Sequence, residues 1–139
     1  MEIRDTLDGR RLVLTREIGA GRETVWDLFR DTAVWPEWGP SVRAVDCDVR
    51  YIEAGTTGRV RVPGGVWLPF RVETCRDYRW TWRVAKVPAT GHFVESGERA
   101  RAGFELPVVT AGYAPVCRRA LDRLAALASS ASTDSESRR

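Results

Sequence analysis

The feature that most constrains this chain is a change of period. From Val42 to Leu106 apolar and polar residues alternate in short runs, and from Tyr113 to Ala128 the apolar residues recur every three or four positions. A period of two puts successive side chains on opposite faces of a strand, and a period near 3.6 makes one stripe along a helix. A chain that reads this way must build a sheet with one dry face and cover it with a late helix.

The clearest alternation is Tyr78-Arg-Trp-Thr-Trp-Arg-Val84, with Tyr78, Trp80, Trp82 and Val84 on one face. Before it, Val42–Tyr51, Arg59–Val62 and Val66–Arg76 read as strands. The last places Leu68, Phe70, Val72 and Thr74 together, with Cys75 out of step, as beside a bulge. After it, Ala89–Ser96 places Thr90, His92 and Val94 on one face, and Glu98–Leu106 places Ala100, Ala102, Phe104 and Leu106 there. Asp46, Asp48, Glu73, Glu95 and Glu105 fall on the polar face, where a Glu95–Arg101 cross-strand pair contributes little.

Upstream, Arg11–Ile18 reads as a strand broken by Gly19-Ala-Gly21, and Val25, Leu28 and Phe29 then mark a helix ending near Asp31. Two prolines and a glycine restrict Thr32–Pro40 to a short second helix or turn. In the last helix Tyr113, Val116, Cys117, Ala120, Leu121, Leu124, Leu127 and Ala128 share one face. The expected class is therefore α+β: a seven-stranded curved antiparallel sheet wrapped around a long C-terminal helix, with two short helices after the first strand. Residues 1–9 are expected as an extension, 10–128 as the domain, and 129–139, which carry no large apolar residue, as a disordered tail.

The size fits one domain with a proper core. Six tryptophans in 139 residues call for a core, pocket or interface to hold them. Cys47, Cys75 and Cys117 have no ligand or disulfide spacing and read as small buried hydrophobes in a reducing cytoplasm. No stretch approaches the ~18 apolar residues of a membrane span, and the charged start is unlike a signal peptide, so a cytoplasmic location is expected. The net charge is +3, and the arginines are scattered rather than gathered in a stripe, which argues against nucleic-acid binding. No metal-ligand cluster, phosphate loop or nucleophile elbow is present in the sequence, so no metal and no cofactor are expected.

The order of elements resembles the helix-grip fold of the START-like superfamily, in its polyketide cyclase/dehydrase-like (SRPBCC) branch. The residues that carry the resemblance are Glu23-Thr-Val-Trp-Asp-Leu-Phe29, Trp35-Pro-Glu-Trp-Gly-Pro-Ser-Val42, Tyr78-Arg-Trp-Thr-Trp82, Gly91-His-Phe-Val-Glu95 and Leu121-Asp-Arg-Leu-Ala-Ala-Leu127. They span roughly residues 10–128. The resemblance implies a cavity between sheet and C-terminal helix. Alternation turns Phe70, Trp80, Trp82, His92, Phe104, Tyr113 and Cys117 toward that space, either to line a pocket or simply to fill the interior, with His92 then a hydrogen-bonded interior histidine; Trp35 and Trp38 fall near the loop that caps one end in such folds.

The leading expectation is a protein that binds or carries a small apolar molecule, lipid-like or aromatic, with His92 and a tyrosine fixing its orientation. Two alternatives stand beside it: an aromatase/cyclase-type enzyme in which His92 or Tyr113 assists proton transfer, and a protein-interaction module using the outer sheet face. The sequence is silent on ligand identity and on oligomeric state.

Overall fold

The computed structural model describes residues 1–137. Eight strands form one antiparallel sheet: β1 (Glu2–Thr6), β2 (Gly9–Glu17), β3 (Ala44–Asp46), β4 (Thr57–Arg61), β5 (Trp67–Arg76), β6 (Arg79–Val84), β7 (Val87–Glu95) and β8 (Arg101–Pro107), in the spatial order β1-β2-β8-β7-β6-β5-β4-β3. Two short helices, α1 (Arg22–Arg30) and α2 (Trp35–Trp38), follow β2, and α3 (Ala114–Ser137) ends the chain. The sheet is curved and does not close. Its concave face holds α3, with Cys117, Ala120, Leu121, Leu124 and Ala128 buried against Leu14, Ile18, Val94, Ala102 and Phe104 in one core. This is the helix-grip arrangement.

Four departures from the sequence pattern have physical reasons. The eighth strand comes from residues 2–6, expected as an extension: the turn at Gly9 lets Glu2–Thr6 fold back on Gly9–Val13. The strand expected over 42–51 survives only as Ala44–Asp46. Beyond it the chain leaves the sheet because Asp31 and the backbone at the end of α1 claim it. Arg50 makes two hydrogen bonds to the Asp31 carboxylate, and Arg50 O accepts from Thr32 N. Glu105 does not face water. It is 7% exposed under the β1–β2 hairpin, which crosses the outer face of the sheet so that both Glu105 and Asp8 pair with Arg79. Helix α3 continues to Ser137 through most of the stretch expected as a tail, as an extension of a helix already nucleated and anchored by its buried face from Cys117 to Ala128 and despite a Ser-rich sequence; Arg138 and Arg139 lie outside the described residues.

The bulge expected beside Cys75 lies between Val72 and Thr74. Glu95 is opposite Arg101 in register, but its ion pair is with Arg4.

Curvature near β3 depends on one small residue. A Cβ added at Gly58 would lie 2.7 Å from the Asp46 carbonyl oxygen and 2.9 Å from the Phe70 ring. The carbonyl belongs to the paired strand and cannot rotate away. Gly58→Ala is therefore expected to cost about 1–3 kcal/mol in urea unfolding, the usual penalty of forcing atoms into a filled space. A loss below roughly 0.5 kcal/mol would show that β3 can move aside.

Candidate functional site

The short helices start the site. The C-terminal turn of α1 leaves carbonyls without helical partners. Two tryptophans from α2 take them: Trp35 Nε1–H donates to Phe29 O at 2.8 Å, and Trp38 Nε1–H donates to Leu28 O at 3.1 Å. Both indoles are thereby fixed by their edges, and Trp35 turns its face to the sheet while Trp38 meets His92 and Phe104 at steep angles.

There they meet the alternating residues of β5–β8. Trp35 stacks on Trp80 (centroids 5.3 Å, 4° between planes), and Trp80 stacks on His92 (3.7 Å, 8°). Phe70 and Trp82 lie against Trp35, while Phe29, Trp38 and Phe104 close around His92 at 5.0–6.3 Å. Each direction expected from alternation is met, but these rings pack against one another. Trp35, Trp80 and His92 are almost wholly excluded from solvent, and Phe70, Phe104, Trp38 and Cys117 are buried beside them. Of the residues expected to line a pocket, these seven fill the interior.

His92 is locked within this stack. Its Nδ1–H donates to Trp80 O at 3.3 Å, and Nε2 accepts from Thr90 Oγ1 at 3.0 Å; Thr90 in turn accepts from Trp82 Nε1–H at 3.2 Å. That pattern assigns the neutral ring with its proton on Nδ1. Burial, helped by the nearby Arg79 charge, pushes the imidazolium pKa down to about 3. An imidazole held neutral and sealed from solvent has neither the access nor the proton affinity of a general base near neutral pH.

The sign of its effect on stability follows. In the unfolded chain His92 takes up a proton below about pH 6.5; the folded state refuses it until about pH 3. Between those values the unfolded state binds more protons, so stability falls on acidification. From pH 7 to pH 5 the wild type should lose up to about 1 kcal/mol per pH unit from this source, and His92→Phe should show a flatter slope in urea midpoints. Parallel slopes would show that His92 is not held neutral.

The open space lies next to the stack. A cleft of about 370 Å³ opens between the ends of β4, β6 and β8, the loop after α2, and the 3-10 turn Val108–Tyr113 that leads into α3. Val42, Val60, Val62, Val84 and Leu106 form its walls. Trp82 and Thr90 are shared between cleft and stack. At the rim the Tyr113 hydroxyl hydrogen-bonds Ser41 Oγ, tying the entrance of α3 to the loop before β3. Burial pushes the Tyr113 phenol above its ordinary value, with the Ser41 bond acting the other way. The polar side-chain groups presented to the cleft include the hydroxyls of Ser41, Thr90, Thr110 and Tyr113; among the described residues no acid, amine or guanidinium lines it.

The sequence thus identified Trp82 and Tyr113 among the lining residues and missed the aliphatic walls and Ser41. The walls had a signal, because Val60, Val62, Val84 and Leu106 lie on the inward phase of their strands. Residue size alone directs attention to the larger rings instead. Another depression, of about 580 Å³ along the β1–β2 hairpin, sets Leu7, Val13, Phe93 and Val94 among charged side chains, including Arg4, Asp77, Arg79 and Glu105, so its lining is mixed rather than apolar.

A family model described as "Polyketide cyclase / dehydrase and lipid transport" matches residues 10–129. No curated protein matches the chain. Among solved structures it is similar to the protein XoxI from Bacillus cereus (18% identity, TM-score 0.66, covering 85% of this chain and 94% of that one). It is also similar to Ms6760 from Mycobacterium smegmatis (16% identity, TM-score 0.61, 91% and 95%). The di-domain ARO/CYC BexL from the BE-7585A biosynthetic pathway aligns at 18% identity and TM-score 0.60, over 85% of this chain and 49% of that one. At these identities the likeness is one of fold.

Proposed function

The chain belongs to the polyketide cyclase/dehydrase and lipid transport family, and from that premise we propose that it binds or carries one small apolar molecule, lipid-like or aromatic, in the cleft beside Trp82. The observation that carries the reading is the cleft itself: aliphatic walls, one indole and a rim of hydroxyls, next to an interior already filled. Burial of apolar surface drives binding at about 25 cal/mol per Å² of ligand removed from water. Tyr113 and Ser41 stand where a ligand hydroxyl or carbonyl would emerge. The ligand-binding residues proposed are therefore Trp82, Tyr113, Ser41, Thr90 and the valines. The other aromatics and His92 act as the rigid wall behind them.

Binding is favoured over cyclase-type catalysis because His92 is sealed in its neutral form away from the cleft, and among the described residues no base lines the cleft to work with the Tyr113 phenol. An interaction module using the outer sheet face finds less support, since Arg59, Arg79 and Arg83 there are paired with Asp46, Glu105 and Glu73. Among the described residues no helix is long and apolar enough to cross a membrane.

The test is native mass spectrometry of freshly purified protein, joined to thermal shifts against fatty acids and fused-ring phenols. A retained small mass, or a ligand at 100 times its Kd that adds about 2.7 kcal/mol of stability, supports the reading. An apo mass with no shift across both series rejects it.

A further inference from the structure

We infer that the mouth of the cleft docks on anionic lipid surfaces. In an antiparallel sheet of this order, β4, β6 and β8 run in the same direction, so their last residues and the turns after them gather at one end. Among the described residues, five of the eleven exposed large hydrophobic side chains lie in those turns or beside them: Val66, Val87, Val108, Val109 and Tyr113; Trp67 is on the outer face under Arg59, and Leu7 is in the β1 turn. Val109 is 95% exposed. Scattered exposed apolar residues need no explanation, but a group around an opening marks a contact surface.

The turns that close β4, β6 and β8 carry cations, although β1 runs the same way and its turn adds Asp8, which with Glu73 borders Arg83. The stretches 41–43, 60–66, 82–90 and 106–113 contain Arg43, Arg61, Arg83 and Lys86 and no Asp or Glu. Arg83 is paired with Glu73, while Arg43, Arg61 and Lys86 are exposed and make no ion pair among the described residues. None of the four lines the cleft, so these cations act on something outside the mouth rather than on a bound ligand. Exposed valines that insert, flanked by cations that meet phosphate, match the interface of an anionic bilayer. An acidic protein would meet the cations, and would cover the exposed valines only if it also carried an apolar face.

Docking is independent of what the cleft holds, and the experiment separates the two. Vesicles of phosphatidylcholine alone, or with roughly one-third phosphatidylglycerol, are sedimented with wild type, Val109→Asp and Lys86→Glu. Wild type should partition onto the anionic vesicles and less so at high salt. Lys86→Glu should lower partitioning roughly fivefold or more, and Val109→Asp roughly tenfold. Neither residue lines the cleft, so binding of an apolar probe in solution should be unchanged in both variants. The proposal is overturned if wild type stays in the supernatant with anionic vesicles, or if all three proteins sediment alike. It is also overturned if Val109→Asp abolishes a concentration-dependent dimer while vesicle binding is absent, which would assign the patch to a second copy of the chain.

Discussion

Trp80→Ala should remove about 3–5 kcal/mol of stability, the largest loss expected of any single change in this protein. Its indole is fully buried between Trp35 and His92, with Trp82 against its edge. Truncation would open a void walled by rings that are themselves pinned: Trp35 by its bond to Phe29 O, and His92 by Thr90 and Trp80 O. Such a site collapses poorly, which places the cost at the high end. Trp80→Phe should behave differently. The Trp80 Nε1–H is buried and finds no hydrogen-bond partner among the described residues, so replacing it removes a desolvated donor as well as some volume. The expected loss is below about 1.5 kcal/mol. Urea denaturation of the two variants separates the contributions. Equal losses for Ala and Phe would show that the indole nitrogen is satisfied after all and that stacking area is not the source of stability.

The second large effect is on binding. Val84 ends β6, is half-buried and lines the cleft, so a larger side chain there has free space to enter. Val84→Trp should occupy the volume that the ligand needs and weaken an apolar naphthalene probe by at least roughly tenfold, or about 1.4 kcal/mol. Because it fills open space rather than a packed core, stability should change by less than about 1 kcal/mol. Full-strength binding by a well-folded Val84→Trp would place the ligand elsewhere. The contrast is diagnostic: Trp80 supports the wall, Val84 borders the space, and the two substitutions should move different observables.

Much of the fold was legible because it rests on periodicity. Strands β5 to β8 and the stripe on α3 lie where alternation and the helical repeat put them, and even the inward direction of Trp80, His92 and Phe104 is right. What alternation cannot supply is volume. It gives the face a ring points to and not whether rings from α2, β5, β6 and β7 meet there. Trp35 illustrates the difficulty: its position depends on a hydrogen bond to Phe29 O, a contact between two short helices with no signature in spacing. The burial of Glu105 was hidden for a similar reason. It depends on the β1–β2 hairpin reaching over β8 and β7 to bring Asp8 to Arg79 on β6, a tertiary event that the local pattern of β8 does not encode.

The site was half legible. A polar-capped apolar space next to Trp82 and Tyr113 follows from residue type and phase. Its displacement toward the start of α3 follows from the aromatic stack taking the central position, which only packing reveals.

The central claim is that an apolar ligand enters the cleft and leaves the stacked interior intact. Methyl-resolved NMR of the protein with and without the naphthalene probe measures this directly. Shifts are expected at the Val60, Val62, Val84 and Leu106 methyls, with Val25 and Val72 unmoved in the buried core. Shifts centred on Val25 and Val72, or no shifts at saturating probe, would contradict that claim.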